Sequence, residues 1–451
     1  MIALLLAGCP RDPDPPAPEP TAETAAPDDV LHDPLSMPAE PLWDPSEFLG
    51  AAACGECHPD HAAEWRTSMH AYAMVDPVFQ ALTAVRQADL DGAEDLFCQQ
   101  CHSAIGTRGG EIVPGFAFED LSPIVMEGIT CTSCHHVVDV AREWNSGHVI
   151  DPASPLQGPY ADATTPIHDT AKSELLGTSR FCGACHDVVE SSGLPLERPY
   201  AEWAESPAAA EGVDCQGCHM PVVERPIARE AGVRRSRIHR WVGVDVPLAE
   251  GFVTADEEAA MRARTAELLA GAATLRLATP SSAAPGSTFD VAVTVRNEVA
   301  GHNLPTGSTF LRQLWLEVVV RDALGTVLYQ TGTLDPDGDL RDRWSATEPY
   351  GDADLVTFHS GFVDADGAPT LFPWRAAEHP TRALQPLHER TATLFVPVPP
   401  GAQGPLEVTA RLRFRALPPH LLRTLGLSEA QVAKVPIHDL ATGAAEVSLA
   451  Q

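Results

Sequence analysis

The sequence predicts an α+β chain of several domains, with a mainly α-helical and irregular segment followed by an antiparallel, immunoglobulin-like β-sandwich. Three observations predict it. Between Cys54 and His219 one pattern, Cys-x-x-Cys-His, recurs five times, separated by short helical runs and Gly- and Pro-marked loops. From Thr254 to Gly271 a single clear helix follows, opened by a Thr254/Glu257 capping box and closed by a glycine. From about Thr274 the apolar period changes from helical to two: Phe289, Val291, Val293 and Val295 alternate with polar residues or alanine, and Leu314, Leu316, Val318 and Val320 do the same. Further strands are expected at Val327–Thr333, Arg390–Val396, Leu406–Leu417 and Glu446–Leu449. Short strands punctuated by Gly and Pro are the pattern of a sandwich.

The five motifs are Cys54-Gly-Glu-Cys57-His58, Cys98-Gln-Gln-Cys101-His102, Cys131-Thr-Ser-Cys134-His135, Cys182-Gly-Ala-Cys185-His186 and Cys215-Gln-Gly-Cys218-His219; they are numbered 1 to 5 below. Cys-x-x-Cys-His is the attachment signature of c-type haem. Two thiolates reach the two vinyl-derived carbons of one porphyrin edge, and the next residue places its imidazole under the iron. With 11 Cys and 18 His in 451 residues, chance gives about 0.01 such matches. Zinc sites or a redox Cys-x-x-Cys do not require His after the second Cys every time. The expected cofactors are therefore five c-type haems.

Ten of the eleven cysteines are in the motifs and the eleventh is Cys9, so no pair remains for a structural disulfide. The formal charge of −32 disfavours nucleic acid and anionic surfaces and favours redox partner proteins with a basic docking face; general solubility of an acid-rich chain explains the same charge. Aromatics are only 6% of the chain, which suits a core built largely of porphyrin.

Five regions follow in order. Residues 1–9 end in Leu6-Ala7-Gly8-Cys9, which looks like a bacterial lipobox with Cys9 as the lipidation site, although the apolar stretch is short and has no basic start. That implies a lipoprotein on a membrane, facing the periplasm or at the cell surface, with the outer membrane favoured. No run of 18 or more apolar residues follows. Residues 10–45 are rich in Pro, Ala and acid and read as a disordered tether. Residues 46–245 hold the motifs, 246–272 form the connecting helix, and 273–451 the β-domain.

Five haems with two His each need five further histidines. Pro59 to Val75 reads as one helix. His70 lies on its small-residue side and is preferred as a distal ligand, whereas His61 shares its side with Trp65 and Tyr72 and reads as packing. His136 follows proximal His135 directly and can reach only a neighbouring haem. His148 sits in a turn, His168 precedes a short helical run, and His239 follows Arg234, Arg235 and Arg237, a patch suited to propionates.

Cys54 to Met74, with Glu64-Trp65 and Ser68-Met69-His70-Ala71, resembles the first haem segment of the nitrifier tetrahaem cytochrome c. That family belongs to the multihaem superfamily that also holds hydroxylamine oxidoreductase. Gly128 to His135, Pro166 to Asp187 and Cys215 to Pro221 look like other multihaem lipoprotein cytochromes. The resemblance spans about 190 residues. It implies closely stacked, mainly bis-His haems and carries over His70, His168 and His239 as distal ligands, while a fifth motif departs from the four-haem pattern. The loop Ala300 to Gly307 resembles one seen in β-domains appended to multihaem cytochromes. His302 is thus a candidate ligand from outside the haem domain, or a loop His bonding its own turn. His359, His379, His388, His420 and His438 read as structural or surface residues.

The leading expectation is electron transfer along coordinatively full haems. The rivals are a haem enzyme of the hydroxylamine or nitrite type with one five-coordinate iron, and a subunit of an extracellular filament. No Cys-x-x-Cys-Lys variant occurs.

Overall fold

The computed structural model describes residues 40–450. Cys9, the leader at 1–9 and most of the expected tether lie outside the described residues. The architecture is α+β, as the sequence predicts: short helices and two-stranded ribbons from residue 45 to 240, one long helix, then two larger sheets. No helix among the described residues is long and apolar enough to cross a membrane.

The long helix, Ala255–Ala270, has the expected capping box, with Thr254 Oγ1 and the Glu257 carboxylate each bonding the other's backbone. Gly271 closes it, but at φ −105°, so the left-handed geometry of a glycine C-cap is not used here. The expected helix over residues 59–75 is broken. It runs Pro59–Arg66, stops at Thr67, and restarts as Met69–Tyr72 behind Ser68, whose hydroxyl caps Ala71 N. A serine in this place competes with the helix ladder and re-aims the following turn, and it is this turn that carries His70.

The two larger sheets of the C-terminal part are built from eight strands, β1 (Ala273–Ala278), β2 (Ser282–Ala283), β3 (Thr288–Asn297), β4 (Gln313–Arg321), β5 (Val327–Thr331), β6 (Glu389–Pro397), β7 (Leu406–Arg415) and β8 (Ile437–Leu449), beside a two-stranded ribbon of Phe362–Val363 and Pro369–Thr370. One sheet has the order β6-β3-β1 and the other β2-β8-β7-β4-β5; every pairing is antiparallel except the short β2–β8 contact. The alternation read from β3 places Val291, Val293 and Val295 inward against Leu314, Leu316 and Val318 of β4, all 0% exposed. Both sheets share that core. β8 is 13 residues long rather than the four expected at its end. Its first part, Ile437 to Ala445, has few large apolar residues, and pairing along β7 holds it extended.

Candidate functional site

In motifs 1, 2, 3 and 5 both cysteines and, in three of these, the histidine lie within one short helix: Ala51–Cys57, Leu96–His102, Cys131–His135 and Cys215–His219. The i, i+3 spacing then turns both thiols to one side. The fifth of these helices, Ser179–Gly183, carries only Cys182 of motif 4. All ten motif cysteines, the five motif histidines, and His70, His148, His168, His239 and His302 line one connected cavity of about 2330 Å³. Sites for single small ligands are ~300–1,000 Å³. None of the ten cysteines is in a disulfide.

The imidazoles pair. Ring centroids are 6.4 Å apart for His58 and His168, 6.4 Å for His135 and His239, 6.2 Å for His186 and His70, and 6.4 Å for His219 and His302. With metal–nitrogen bonds of about 2.0 Å and ring centres ~1.1 Å behind each nitrogen, two imidazoles trans on one iron stand about 6.2 Å apart. The interplanar angles of the four pairs run from 18° to 53°. At this spacing an iron would fit between the rings of each pair.

The hydrogen bonds point the same way. A carbonyl can only accept, so an Nδ1 beside one carries the proton and leaves Nε2 as the ligating atom. This holds for His58 with Ile227 O (2.6 Å), His102 with Ala73 O (3.0 Å), His135 with Gln157 O (2.6 Å) and His219 with Val242 O (3.3 Å). It holds equally for His168, His239 and His302, each bonding a carbonyl of its own turn. Bonding its own turn and facing His219 are thus not alternatives for His302. Burial drives His70 and His239 down to about 3 and His186 to about 4, so each presents a neutral imidazole, the form that binds metal.

His148 departs from expectation. Its Nε2, the atom needed for iron, bonds Phe181 O at 2.7 Å, and no motif imidazole faces its ring. It opens a short strand, His148–Ile150, paired with Val137–Val140, and from there its ring meets a backbone acceptor. Among the described residues no histidine ring faces His102; Phe79 lies parallel to its ring at 3.8 Å. Met74 is fully buried in the apolar cluster with Leu96, Ile112 and Val125 and does not line the cavity. His61 bonds Ser236 Oγ through Nε2 (2.9 Å), consistent with a packing role, and His136 packs edge-on against Phe48 outside the cavity lining.

Two of the three arginines of the basic patch are already engaged, while Arg235 lines the cavity. Arg234 forms a bidentate pair with Asp162, and Arg237 donates to the carbonyls of Gln216 and Met220. A residue the sequence did not single out, Glu64, holds the His239 turn. It is 4% exposed, takes both guanidinium donors of Arg225 (2.7 and 2.9 Å) and accepts from His239 N at 2.9 Å. Burial pushes its carboxyl up, but these donors and Arg240 outweigh it and hold it below the usual range. Glu64→Ala would leave a buried cation and an amide unpaired, and we expect a loss of ~3–5 kcal/mol in denaturant unfolding.

The attachment helices of different motifs also meet: Ala51–Cys57 packs on Cys131–His135, and Cys215–His219 packs on Ser179–Gly183. The Cys185 thiol acts on that of Cys101, and Cys134 on Cys182, in raising their pKa values.

A family model described as cytochrome c554 and c-prime matches residues 53–136. A penta-heme cytochrome c552 from Thermochromatium tepidum superposes with a TM-score of 0.62 at 21% identity, covering 90% of this chain and 100% of that one. The fold is that of a multihaem c-type cytochrome. A CARDB domain from Pyrococcus furiosus, solved with di-metal ions, is 12% identical over 40% of this chain and 87% of its own, at a TM-score of 0.18, too low to carry an argument. No curated protein matches the chain. At 90% of this chain the superposition extends beyond the motif-bearing part into the β-rich part.

The loop bearing His302 is fastened from both sides. Asn297, 0% exposed, donates to His302 O (3.1 Å) and Leu384 O (3.0 Å) within the β-domain. Glu202 of the haem segment accepts from Asn303 N (3.1 Å) and Thr306 Oγ1 (2.5 Å). Arg312 forms a bidentate pair with Asp245 at 2.5 and 2.8 Å.

Proposed function

We propose that this chain binds five c-type haems through its ten motif cysteines and passes electrons between them. The observation that carries this reading is the set of four imidazole pairs at 6.2–6.4 Å. Haem supplies a one-electron iron couple, and full axial ligation lets it change charge with little movement. The chain's part is to hold neighbouring attachment edges in contact. The helix of motif 1 packs on that of motif 3, and the helix of motif 4 on that of motif 5; the influence of Cys134 on Cys182 and of Cys185 on Cys101 supports a row of motifs 1, 3, 4 and 5 with motif 2 at its side. The ligands are the five motif histidines with His168, His239, His70 and His302. The charge of −32 suits a redox partner with a basic face. Acylation at Cys9 would tether the row to a membrane, in the periplasm or at the cell surface.

One observation favours a second activity at a single position. Among the described residues no imidazole stands opposite His102 at the spacing of the four pairs, which would leave the motif 2 haem open to a small exogenous ligand. A pyridine haemochrome assay with low-temperature paramagnetic resonance tests both readings. Five covalent haems, four low-spin and one high-spin, are expected. Fewer than five, or two or more open irons, would overturn the assignment.

A further inference from the structure

A buried arginine stands beside the segment where motifs 2 and 4 come together. Arg108 ends the helix Ala104–Arg108 and is 8% exposed. Its Nη1 donates to His148 O at 2.6 Å, and Nη2 donates to Ser146 O and to Ser146 Oγ at 3.1 Å. Ser146 Oγ in turn donates to Gln100 O at 2.6 Å. Every acceptor is neutral, and among the described residues no carboxylate forms an ion pair with this guanidinium. Burial lowers it to about 10, which leaves it charged at neutral pH. Its partners set it beside both motifs: Gln100 lies between Cys98 and Cys101, and His148 Nδ1 is 3.9 Å from Cys185 Sγ.

Arg86 shows the contrast. It is 3% exposed and stands on the Cys98 side of motif 2, but it is paired with Glu190 (2.7 Å, itself 3% exposed) and with Glu94. Its charge is cancelled where it stands. A chain of −32 has carboxylates in excess, so a buried cation left with none is a departure from its own composition.

We propose that Arg108 acts as a fixed positive charge that raises the reduction potentials of the haems of motifs 2 and 4 above those of the other three. Reduction lowers the charge of a haem by one, and a cation held beside it in a low-dielectric interior favours that state. Electrons entering the row then collect at the pair that includes the open position beside His102. The inference rests on the five-haem reading above.

The test is a spectroelectrochemical titration of the full haem-loaded chain. In Arg108→Gln the high-spin haem and one low-spin haem should each lose at least tenfold in reduction equilibrium, ~59 mV for one electron, with the other three unmoved. Arg108→Lys keeps the charge and should leave both potentials near wild type. Ser146→Asp keeps the arginine and sets a carboxylate against Nη2. Ser146 is at φ 61°, which aspartate tolerates better than most residues, and the same two potentials should fall. Unmoved potentials in a fully loaded Arg108→Gln overturn the proposal, as does a shift in Arg108→Lys as large as in Arg108→Gln, which would mark Arg108 as a clamp for the Ser146–His148 turn. Should Arg108→Gln fail to assemble, unmoved potentials in Ser146→Asp overturn it. Five haems with unmoved potentials remove this inference alone, whereas a low haem count in the wild type removes the reading beneath it.

Discussion

Replacing His302 by alanine is expected to raise the high-spin haems from one to two per chain while all five stay attached. Attachment depends on Cys215 and Cys218, which the substitution does not touch, and His219 keeps its bond to Val242 O. Only the trans ligand is lost. No other residue is placed to replace it, because Asn297 and Glu202 hold the loop on both flanks and keep its backbone where it is. Paramagnetic resonance at low temperature reads the count, and carbon monoxide uptake by the reduced protein should double. His148→Ala is the control: its Nε2 is spent on Phe181 O, so the spin count should not move. An unchanged count in His302→Ala would show that the β-domain does not complete the fifth site.

Removing both thiols of motif 2, as Cys98→Ala/Cys101→Ala, is expected to lower the haemochrome count from five to four and to abolish carbon monoxide binding. The other four motif histidines each face an imidazole at 6.2–6.4 Å and offer no open face. Among the described residues none faces His102. Loss of the motif 2 haem therefore removes the whole ligand-binding signal with only a fifth of the absorbance. Carbon monoxide binding that survives in the four-haem protein would place the open iron elsewhere and sink the second activity. The four-haem variant should still carry electrons along motifs 1, 3, 4 and 5, since motif 2 stands at the side of that row, with Cys101 under the influence of Cys185.

The motif histidines and their cysteines are legible because c-type attachment is written in consecutive residues, where local chain geometry sets the spacing. The same is true of the capped helix at 255–270 and of β3 and β4, whose inward valines and leucines declare their faces by period alone. The distal ligands follow a different logic. His70, His168 and His239 were named from their flanking residues and a resemblance, and the structure sets each opposite a motif imidazole. His148, chosen by the same kind of turn context, meets a backbone carbonyl instead. A lone histidine in a turn carries no sign of which atom it will face.

By itself, the sequence determined which residues can bond haem covalently, how many such places exist, and that a β-rich region follows them. Only the tertiary structure decided which histidine stands across from which, and that among the described residues His102 faces none and Arg108 lies buried without a carboxylate partner. The physical reason is range. Thioether attachment and strand alternation act over a few residues, whereas an axial pair such as His219 and His302 joins positions 83 apart that meet only when the two parts of the chain pack together.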